Sequence, residues 1–377
     1  MVATARPVRI LHVVAGMNHG GIETWLMNVL RHIDRDRFQI DFVVHTDQPC
    51  VYDDEIRALG SRIIPCPHPG RPWLYARKLW NIVHEYGLYD VVHSHVYFFS
   101  GLILWLATRS HIPQRIAHAY PVHDTRSQTL IRRIYRRFMC RLIGKYATHL
   151  LFDSEAAQEA FHHFCAASNG MEVIIYPVVD LQRFRHSVDA TEVRKRYGLP
   201  LDLPIIVYVA RFYPHKNHKG LLQMADVLNQ EGKCIHLAMV GSRGPLLKEM
   251  QEIASQRDDT TVLDAVEDVA PILLASDVFV FPSKEEGFGI VALEAQAAGL
   301  PCILSDAVPH EVDIVAPLIH RLSLQDSPTI WADAILASIK DVPLSQQEAL
   351  ARIEQSPFDI KSNVAQLEHI YVTANRA

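Results

Sequence analysis

The chain is predicted to be an α/β protein built on two doubly wound parallel sheets, and three observations support this. Short apolar runs alternate with stretches of helical periodicity, which is typical of βαβ units. The alternation stops over residues 174–204, which contain three prolines, and then starts again. A chain of 377 residues with 49% hydrophobic residues is also too long for one core. We therefore expect two domains with a hinge inside residues 174–204.

Each predicted strand is a short apolar run. In the first half the strands are Val8–Ala15, Gln39–His45, Arg62–Pro65, Asp90–His93, Arg115–Ala119 and Thr148–Phe152. In the second half they are Ile205–Ala210, His236–Val240, Thr261–Leu263, Val278–Phe281 and Cys302–Ser305. Ligands of open parallel sheets bind at the carboxyl ends of the strands. Two such sheets facing each other would form a cleft.

Composition excludes several classes of protein. The net charge of -5 argues against a nucleic-acid binder. Six scattered cysteines without a C-x-x-C pair predict neither a zinc site nor a disulfide framework, and favour a reducing compartment. The most apolar stretch, Val96–Ala107, is too short to span a bilayer, and Val8–Ala15 reads as a buried strand rather than part of a signal peptide. We expect a cytoplasmic protein.

The most informative segment is the run Glu286–Glu294, which directly follows a predicted strand. Gly287 and Gly289 allow a loop to pass close to a ligand, and Ile290–Ala298 reads as a helix. Because a helix N-terminus favours phosphate, the segment predicts an anion site. The two glutamates would flank that site and accept hydrogen bonds from sugar hydroxyls.

Two further loops carry phosphate-binding chemistry. Gly20 and Gly21 precede a predicted helix, Glu23–His32, and could admit a phosphate, although the G-x-G-x-x-G spacing of a dinucleotide fold is absent. Arg211 and Lys216 follow the first strand of the second half. Two cations at the mouth of a parallel sheet suit a diphosphate leaving group, which Arg binds as a fork and Lys as a point charge.

These motifs resemble the retaining GT-B glycosyltransferases of the family 4 type, typified by glycogen and sucrose synthases. Among them the bacterial exopolysaccharide and capsule transferases are most similar. The resemblance runs from Gly20-Gly21-Ile22-Glu23-Thr24 through His93-Ser94-His95 and Arg211…Lys216 to the block from Glu286 to Pro301. It implies an acceptor-binding domain over residues 1–180 and a nucleotide-sugar-binding domain over 181–358. Residues 359–377 would contain a helix, Asp359–Thr373, that crosses back to the first domain.

The resemblance also implies roles for individual residues. Glu294 would hold the ribose hydroxyls, Glu286 the transferred sugar, and Arg211 with Lys216 the diphosphate. A histidine near the reacting carbon would be His118, with His95 as its competitor, and both are candidates for the acceptor side. The catalytic candidates are His118, Arg211, Lys216 and Glu286. The donor-binding candidates are Gly20, Gly21, Arg211, Lys216, Glu286, Gly287, Phe288, Gly289, Ile290 and Glu294.

The implied reaction is hexosyl transfer (EC 2.4) with retention, from a nucleotide-diphosphate sugar, most readily a UDP-sugar. The acceptor would be a saccharide or a lipid-linked saccharide in cell-surface polysaccharide biosynthesis. No cofactor or metal is expected, because Arg211 and Lys216 supply positive charge. His93 and His95 could form a metal pair, but no third ligand is evident. A soluble small-molecule acceptor, or a catalytically silent GT-B protein that binds a nucleotide or a partner, remains an alternative.

Residues 126–145 predict a basic amphipathic helix, with seven basic residues and no acidic one. Such a helix could rest on the anionic inner face of the cell membrane as a peripheral contact. It could equally be a core helix with a solvated basic face. The donor sugar, the base, the linkage and the oligomeric state are not encoded in any motif that we identify.

Overall fold

The computed structural model describes residues 6–18, 20–67, 69–120, 129–165, 170–264 and 266–373. The chain divides into two compact units. Unit 1 comprises residues 1–178 and 360–377, and unit 2 comprises residues 179–359. Each unit is built on its own parallel sheet.

The sheet of unit 1 has seven strands in the described residues, in the order β3-β2-β1-β4-β5-β6-β7. The strands are β1 Val8–Val14, β2 Phe38–Val44, β3 Arg62–Pro65, β4 Val91–Ser94, β5 Gln114–Ala119, β6 His149–Phe152 and β7 Met171–Ile174. All pair in parallel. The central strand β1 is buried except at Arg9, as expected when helices cover both faces of a parallel sheet.

The first six helices connect these strands. They are α1 Gly21–His32, α2 Asp53–Ala58, α3 Pro72–Tyr86, α4 Ser100–Arg109, α5 Leu130–Tyr146 and α6 Glu155–Phe164. Side-chain caps fix two of the starts: Thr129 accepts from the Arg132 amide and Ser154 from the Ala157 amide. Strand order reverses between β1 and β4, which makes the carboxyl ends of these strands the expected ligand edge.

The sheet of unit 2 has six strands in the described residues, in the order β10-β9-β8-β11-β12-β13. The strands are β8 Ile205–Val209, β9 His236–Val240, β10 Thr260–Leu263, β11 Val278–Phe281, β12 Cys302–Ser305 and β13 Ile319–Leu322. The helices are α7 Ala190–Arg196, α8 His218–Gln230, α9 Leu247–Ala254, α10 Ala270–Leu274, α11 Ile290–Ala297, α12 Pro328–Lys340 and α13 Gln346–Glu354. Short 3₁₀ turns occur at Tyr97–Phe99, Leu181–Phe184, Pro214–Lys216, His310–Val312 and Ala316–Leu318.

The last helix, α14 Ile360–Thr373, packs on unit 1 although it follows unit 2 in sequence. Its buried Val364 and Leu367 join the core formed by β1, β2 and α1. Hydrogen bonds fix its position, because Trp25 Nε1 donates to Asn363 Oδ1 at 3.1 Å and Asn363 Nδ2 donates to the Tyr176 carbonyl at 2.8 Å. Unit 1 therefore depends on the C-terminal segment for part of its core.

The amphipathic segment 126–145 forms helix α5 from residue 130 onward, and residues 126–128 lie outside the described residues. Its second half is anchored, since Met139, Cys140 and Ile143 are buried. Its first half exposes apolar side chains, listed with their exposed fractions: Leu130 69%, Ile131 81%, Ile134 61%, Tyr135 40% and Phe138 55%. Among the described residues, no helix has both the length and the apolar character needed to cross a bilayer.

The expectation that the cysteines form no disulfide is wrong. Cys140 of α5 and Cys165, which directly follows α6, are bonded to each other. Their Cα atoms are 5.1 Å apart, within the range that a disulfide bridges. The 25-residue separation carries no sequence signature, because the two positions meet only when α5 and α6 pack side by side over β5 and β6.

Candidate functional site

The carboxyl edge of the unit 2 sheet gathers the predicted phosphate-binding residues. Arg211 follows β8 by two positions and is exposed, with its guanidinium 5.4 Å from the ring centroid of Tyr213. Lys216 ends the 3₁₀ turn Pro214–Lys216, and its carbonyl accepts from the Tyr208 hydroxyl at 2.8 Å. Gly241, after β9, faces the Ala210 carbonyl so closely that a Cβ atom would collide with it. This contact fixes the chain just before Arg211.

Lys216 and Glu286 form an ion pair. The ammonium of Lys216 contacts Glu286 Oε1, and the side chains are 12% and 8% exposed. The Ser283 hydroxyl donates to the same oxygen at 3.2 Å. The predicted cation for the diphosphate and the predicted carboxylate for the sugar are therefore adjacent. A ligand that carries a diphosphate next to a sugar would therefore contact Lys216 and Glu286 at the same time.

The glycine loop leads into helix α11 as the sequence predicts. Gly289 is the N-cap residue of α11 and has φ +86°, a conformation that favours glycine. The Ala292 amide donates to the Gly289 carbonyl at 2.8 Å, so the amides of Ile290 and Val291 are the ones at this end of α11 that suit an anion. Phe288 is buried against Phe358, with ring centroids 5.5 Å apart. Phe288 therefore anchors the loop, and the flanking Gly287 and Gly289 leave room for a ligand to approach the backbone.

Glu294 lies in α11, and Arg183 holds its carboxylate. Arg183 Nη2 donates to Glu294 Oε1 at 2.8 Å, and Arg183 Nη1 donates to Asp268 Oδ1 at 3.0 Å. Burial raises the pKa of Glu294, while the charge of Arg183 opposes this rise. The same two carboxylates raise the pKa of Arg183 against the effect of burial. Arg183 therefore favours the ionised form of Glu294, which is the form that the predicted contact with ribose hydroxyls requires.

Sequence reasoning missed Arg183, Asp268 and Ser283 as members of this site. Arg183 and Glu294 are 111 positions apart, and only the packing of the 3₁₀ turn Leu181–Phe184 against α11 brings them together. A basic residue in the presumed hinge gave no local signal of this contact.

The corresponding edge of unit 1 begins at the Gly20-Gly21 pair. Gly20 is the N-cap residue of α1, and a Cβ atom there would collide with the Glu23 carboxylate. Burial raises the pKa of Glu23 above its ordinary value. A carboxylate rather than an open phosphate pocket thus faces this glycine. The predicted role of Gly20 and Gly21 in donor binding stays a prediction.

Four histidines cover one face of the neighbouring strands β1, β4 and β5. His12 pairs with His93 in register, His95 follows β4, and His118 lies in β5. All four are at most 3% exposed. The expectation that His93 and His95 lack a third ligand nearby is wrong, because one ring nitrogen each of His12, His93 and His95 lie within 4.8 Å of one another.

Hydrogen bonds link three of these histidines to two tyrosines. Tyr120 Oη lies 2.8 Å from His95 Nδ1, and His95 Nε2 lies 2.9 Å from His12 Nδ1. His12 Nε2 lies 3.5 Å from Tyr371 Oη, which lies 2.8 Å from His93 Nδ1. Burial lowers the pKa of His12 to about 3 and the pKa values of His93 and His95 well below the ordinary value. All three rings are therefore neutral near pH 7.

The predicted catalytic residue His118 is only 2% exposed, and neither of its ring nitrogens has a hydrogen-bond partner in the described residues. Its ring stacks on Tyr120, with centroids 4.5 Å apart and planes at 15°. Burial lowers its pKa to about 3. Tyr120, rather than His118 or His95, is the partly exposed end of this cluster.

Comparison with known families identifies the chain. The model for "Glycosyl transferases group 1" matches residues 189–354, and that for "Glycosyltransferase Family 4" matches residues 19–183. EpsF of Bacillus subtilis strain 168 is 35% identical to this chain over 376 residues, and the match covers 96% of each chain. The name of EpsF gives its glycosyltransferase activity as provisional. The chain belongs to the group 1/family 4 glycosyltransferases. The capsular polysaccharide biosynthesis glycosyltransferase CapH of Staphylococcus aureus is 24% identical, covering 97% of this chain and 99% of CapH.

Solved structures of other proteins share the fold of this glycosyltransferase. HepE of Anabaena, in complex with UDP and glucose, superposes with a TM-score of 0.76 at 18% identity and covers 97% of this chain and 100% of HepE. Sucrose-phosphate synthase of Thermosynechococcus elongatus gives 0.74 at 19% identity, covering 97% and 98%. The two parallel sheets are therefore the Rossmann-like domains of a GT-B glycosyltransferase, as the sequence predicts.

Proposed function

We propose that this glycosyltransferase is a retaining enzyme that transfers a hexose from a UDP-sugar to a saccharide or lipid-linked saccharide in cell-surface polysaccharide biosynthesis. The observation that carries the proposal is the arrangement in unit 2 of Arg211, the Lys216–Glu286 pair and the Arg183–Glu294 pair. Diphosphate, sugar and ribose each have a matching group there. The complex of HepE with UDP and the name of CapH support the donor and the pathway.

The chemistry of this arrangement is electrostatic. Charge builds on the diphosphate as the glycosidic bond breaks, and the nearby cations of Arg211 and Lys216 would stabilise it. In a front-face displacement the departing phosphate takes the proton of the acceptor hydroxyl, so retention needs no protein nucleophile. Glu286 would accept hydrogen bonds from the sugar hydroxyls, while the ammonium of Lys216 would also interact with the phosphate. Placement of the acceptor then supplies the rest of the rate enhancement.

Calorimetric titration with UDP, GDP and ADP tests the donor site. We expect UDP to bind most tightly, and Glu294→Gln to weaken UDP binding by at least tenfold because two ribose hydroxyls lose a charged acceptor. Glu252→Ala, which removes an exposed glutamate of α9, is the matched control and should bind UDP like the wild type. A folded wild-type protein that binds none of the three nucleotides would instead support a catalytically silent protein.

We further propose that helix α5 brings the enzyme to an anionic membrane surface. Exposed apolar residues of its first half, such as Ile131 and Ile134, alternate with the basic pairs Arg132/Arg133 and Arg136/Arg137. Apolar area and positive charge on one exposed helix are the two requirements for interfacial binding. This surface would let a lipid-linked acceptor reach unit 1.

Vesicle flotation tests the membrane contact. The protein should float with vesicles containing phosphatidylglycerol and stay at the bottom with pure phosphatidylcholine. Ile131→Asp/Ile134→Asp should abolish flotation, because it removes apolar area and adds negative charge. Val342→Asp, at a position that is 47% exposed in unit 2, is the control. Equal flotation of both variants would contradict the assignment to α5.

A further inference from the structure

The polar face of the unit 1 sheet contains one continuous hydrogen-bonded chain. It runs from Tyr120 through His95 and His12 to Tyr371 and ends at His93. His12, His93 and Tyr371 are fully buried, and Tyr120 is the partly exposed end, directly after β5. The chain therefore leads from the protein interior to the carboxyl edge of the sheet.

Each contact in this chain contains one hydrogen, so when the Tyr371 hydroxyl donates in one of its two contacts the direction of one bond fixes the direction of all. If the Tyr120 hydroxyl donates to His95 Nδ1, all three histidines carry their hydrogen on Nε2. If instead His95 Nδ1 donates to Tyr120, all three carry it on Nδ1. A neutral imidazole has one donor and one acceptor nitrogen, so tautomers can mix only if Tyr371 accepts from both His12 and His93. That arrangement leaves the hydrogen of the buried Tyr371 hydroxyl without an acceptor among the described residues.

The far end of the chain decides between the two directions. His93 Nε2 is buried and has no hydrogen-bond partner in the described residues. With hydrogens on Nε2, this atom would be a buried N–H without an acceptor, which is rarer in proteins than an acceptor without a donor. With hydrogens on Nδ1, it is only an unused lone pair. Burial, and after it the carboxylates of Asp153 and Glu23, raise the pKa of Tyr120, so its hydroxyl keeps its hydrogen near pH 7.

The carboxyl edge of the sheet is where a ligand of unit 1 would bind. Tyr97, which is 47% exposed, lies beside Tyr120 there, with ring centroids 6.4 Å apart. We infer that Tyr120 contacts the acceptor saccharide, and that the chain of histidines orients its hydroxyl to donate a hydrogen bond outward to a saccharide oxygen. His95 is a positioning residue that acts through Tyr120. This inference rests on the proposed function, because it assigns the acceptor to unit 1.

The inference accounts for the histidines without a metal. The His12 Nδ1 to His95 Nε2 distance of 2.9 Å is that of a hydrogen bond, and both nitrogens are used by it. A zinc ion would require these nitrogens to be free of hydrogens, and this hydrogen bond places a hydrogen on one of them.

Histidine tautomers test the chain directly. In protein labelled with 15N-histidine, long-range 1H–15N correlation spectra distinguish the two tautomers through the 15N shifts of each ring. We expect His12, His93 and His95 to carry their hydrogens on Nδ1, with signals assigned by single His→Gln variants. An Nε2–H tautomer of His95, alone or together with the other two, or one equivalent of zinc in the purified protein, would overturn the inference. This measurement requires no substrate, so it stays decisive if the proposed function fails.

Kinetics test the contact of Tyr120 with the acceptor. Turnover is measured as UDP release from UDP-glucose with n-octyl β-D-glucoside as the acceptor probe. Tyr120→Phe should lower kcat/KM for the glucoside by about tenfold, the effect of one lost hydrogen bond, and leave the Kd for UDP unchanged. Tyr146→Phe, at the C-terminal end of α5, removes a hydroxyl from a partly buried tyrosine and is the matched control.

Two variants of His95 separate positioning from packing. Asparagine places an amide N–H near the position of Nδ1, so His95→Asn should retain activity within about threefold of the wild type. His95→Leu fills the space of the ring but has no hydrogen-bond donor, so its kcat/KM for the glucoside should fall as far as that of Tyr120→Phe. Wild-type kcat/KM in Tyr120→Phe, or equal losses in both His95 variants, would overturn the assignment. Wild-type protein that binds UDP but does not use the glucoside, with Nδ1–H tautomers present, would contradict this acceptor class and leave the chain intact.

Discussion

At the scale of the residue, each carboxylate of the candidate donor site is paired with a cation from its own unit. Glu286 is held by Lys216 and Glu294 by Arg183, and the side chains of these two carboxylates are 8% and 15% exposed. Burial raises the pKa of Glu294 and the charge of Arg183 opposes this rise, which favours the form that accepts hydrogen bonds from hydroxyl groups. The pairs therefore prepare the site before a ligand arrives.

The first prediction concerns the Lys216–Glu286 pair. Lys216→Met should destabilise unit 2 by about 3 kcal/mol, because it leaves a buried carboxylate without its cation. The double variant Lys216→Met/Glu286→Gln should recover at least half of this loss. Urea unfolding followed by circular dichroism measures both values. Lys219→Met, which breaks an exposed pair with Glu249, should change stability by less than about 0.5 kcal/mol and serves as the control.

At the scale of the element, the sequence predicted every interior strand and two of the four edge strands of the described sheets, β3 and β10. The predicted Arg62–Pro65, His236–Val240, Val278–Phe281 and Cys302–Ser305 have the observed bounds. The edge strands β7 and β13 were missed, because Met171–Ile174 and Ile319–Leu322 carry polar residues and contain no buried residue, whereas β3 buries Ile64. Helix α7 was missed inside the presumed hinge, where its charged sequence has no apolar periodicity and only Asp189 marks its start.

Within the candidate site, the contacts between elements far apart in sequence could not be predicted. Arg211, Lys216, Glu286 and Glu294 could be proposed for the site because each belongs to a local motif, a strand end or the glycine loop with its helix. The partner Arg183 could not, because its contact depends on the packing of a 3₁₀ turn against α11, and the chain from Tyr120 to His93 depends on which strands are neighbours in the sheet. Strand order is set by packing and leaves no local pattern.

The second prediction concerns the disulfide that joins α5 to the residue after α6. Titration of thiols in denaturant without reductant should find four, because Cys140 and Cys165 are bonded and the other four cysteines are free. Reductant should raise the number to six and lower the melting temperature of unit 1, since a bridge closing a 25-residue segment contributes about 3 kcal/mol. Six thiols without reductant would contradict the bridge. Cys140→Ser should give five.

At the scale of the whole molecule, the two units differ in their sensitivity to acid. In the described residues, burial lowers the pKa of six histidines in unit 1 and of three in unit 2. Those of unit 1 are His12, His45, His93, His95, His118 and His149. Those of unit 2 are His215, His218 and His236. Unfolding lets these groups bind protons at their ordinary pKa near 6.5, so acid favours unfolding.

The third prediction follows from the sign of this linkage. Between pH 6.5 and about 3, the unfolded chain holds more protons on His12 and His118 than the folded chain, so stability falls as the pH falls through this window. At pH 5.5 each buried neutral histidine should remove about 1.4 kcal/mol. Calorimetric scans from pH 7.5 to 5.5 should therefore show the unit 1 transition moving to lower temperature further than the unit 2 transition.

A variant of His118 isolates one histidine of this set. His118→Leu removes no hydrogen bond, because neither ring nitrogen has a partner in the described residues, so the variant should fold. Its unit 1 transition should shift less between pH 7.5 and 5.5 than that of the wild type. The reason is that unfolding of the variant takes up about one proton fewer, so its free energy of unfolding depends less steeply on pH. The exposed His111, at φ +57°, can be replaced by Asn without strain, and His111→Asn should keep the wild-type shift. If the two transitions moved together in every variant, the buried histidines of unit 1 would not set the acid stability of the molecule.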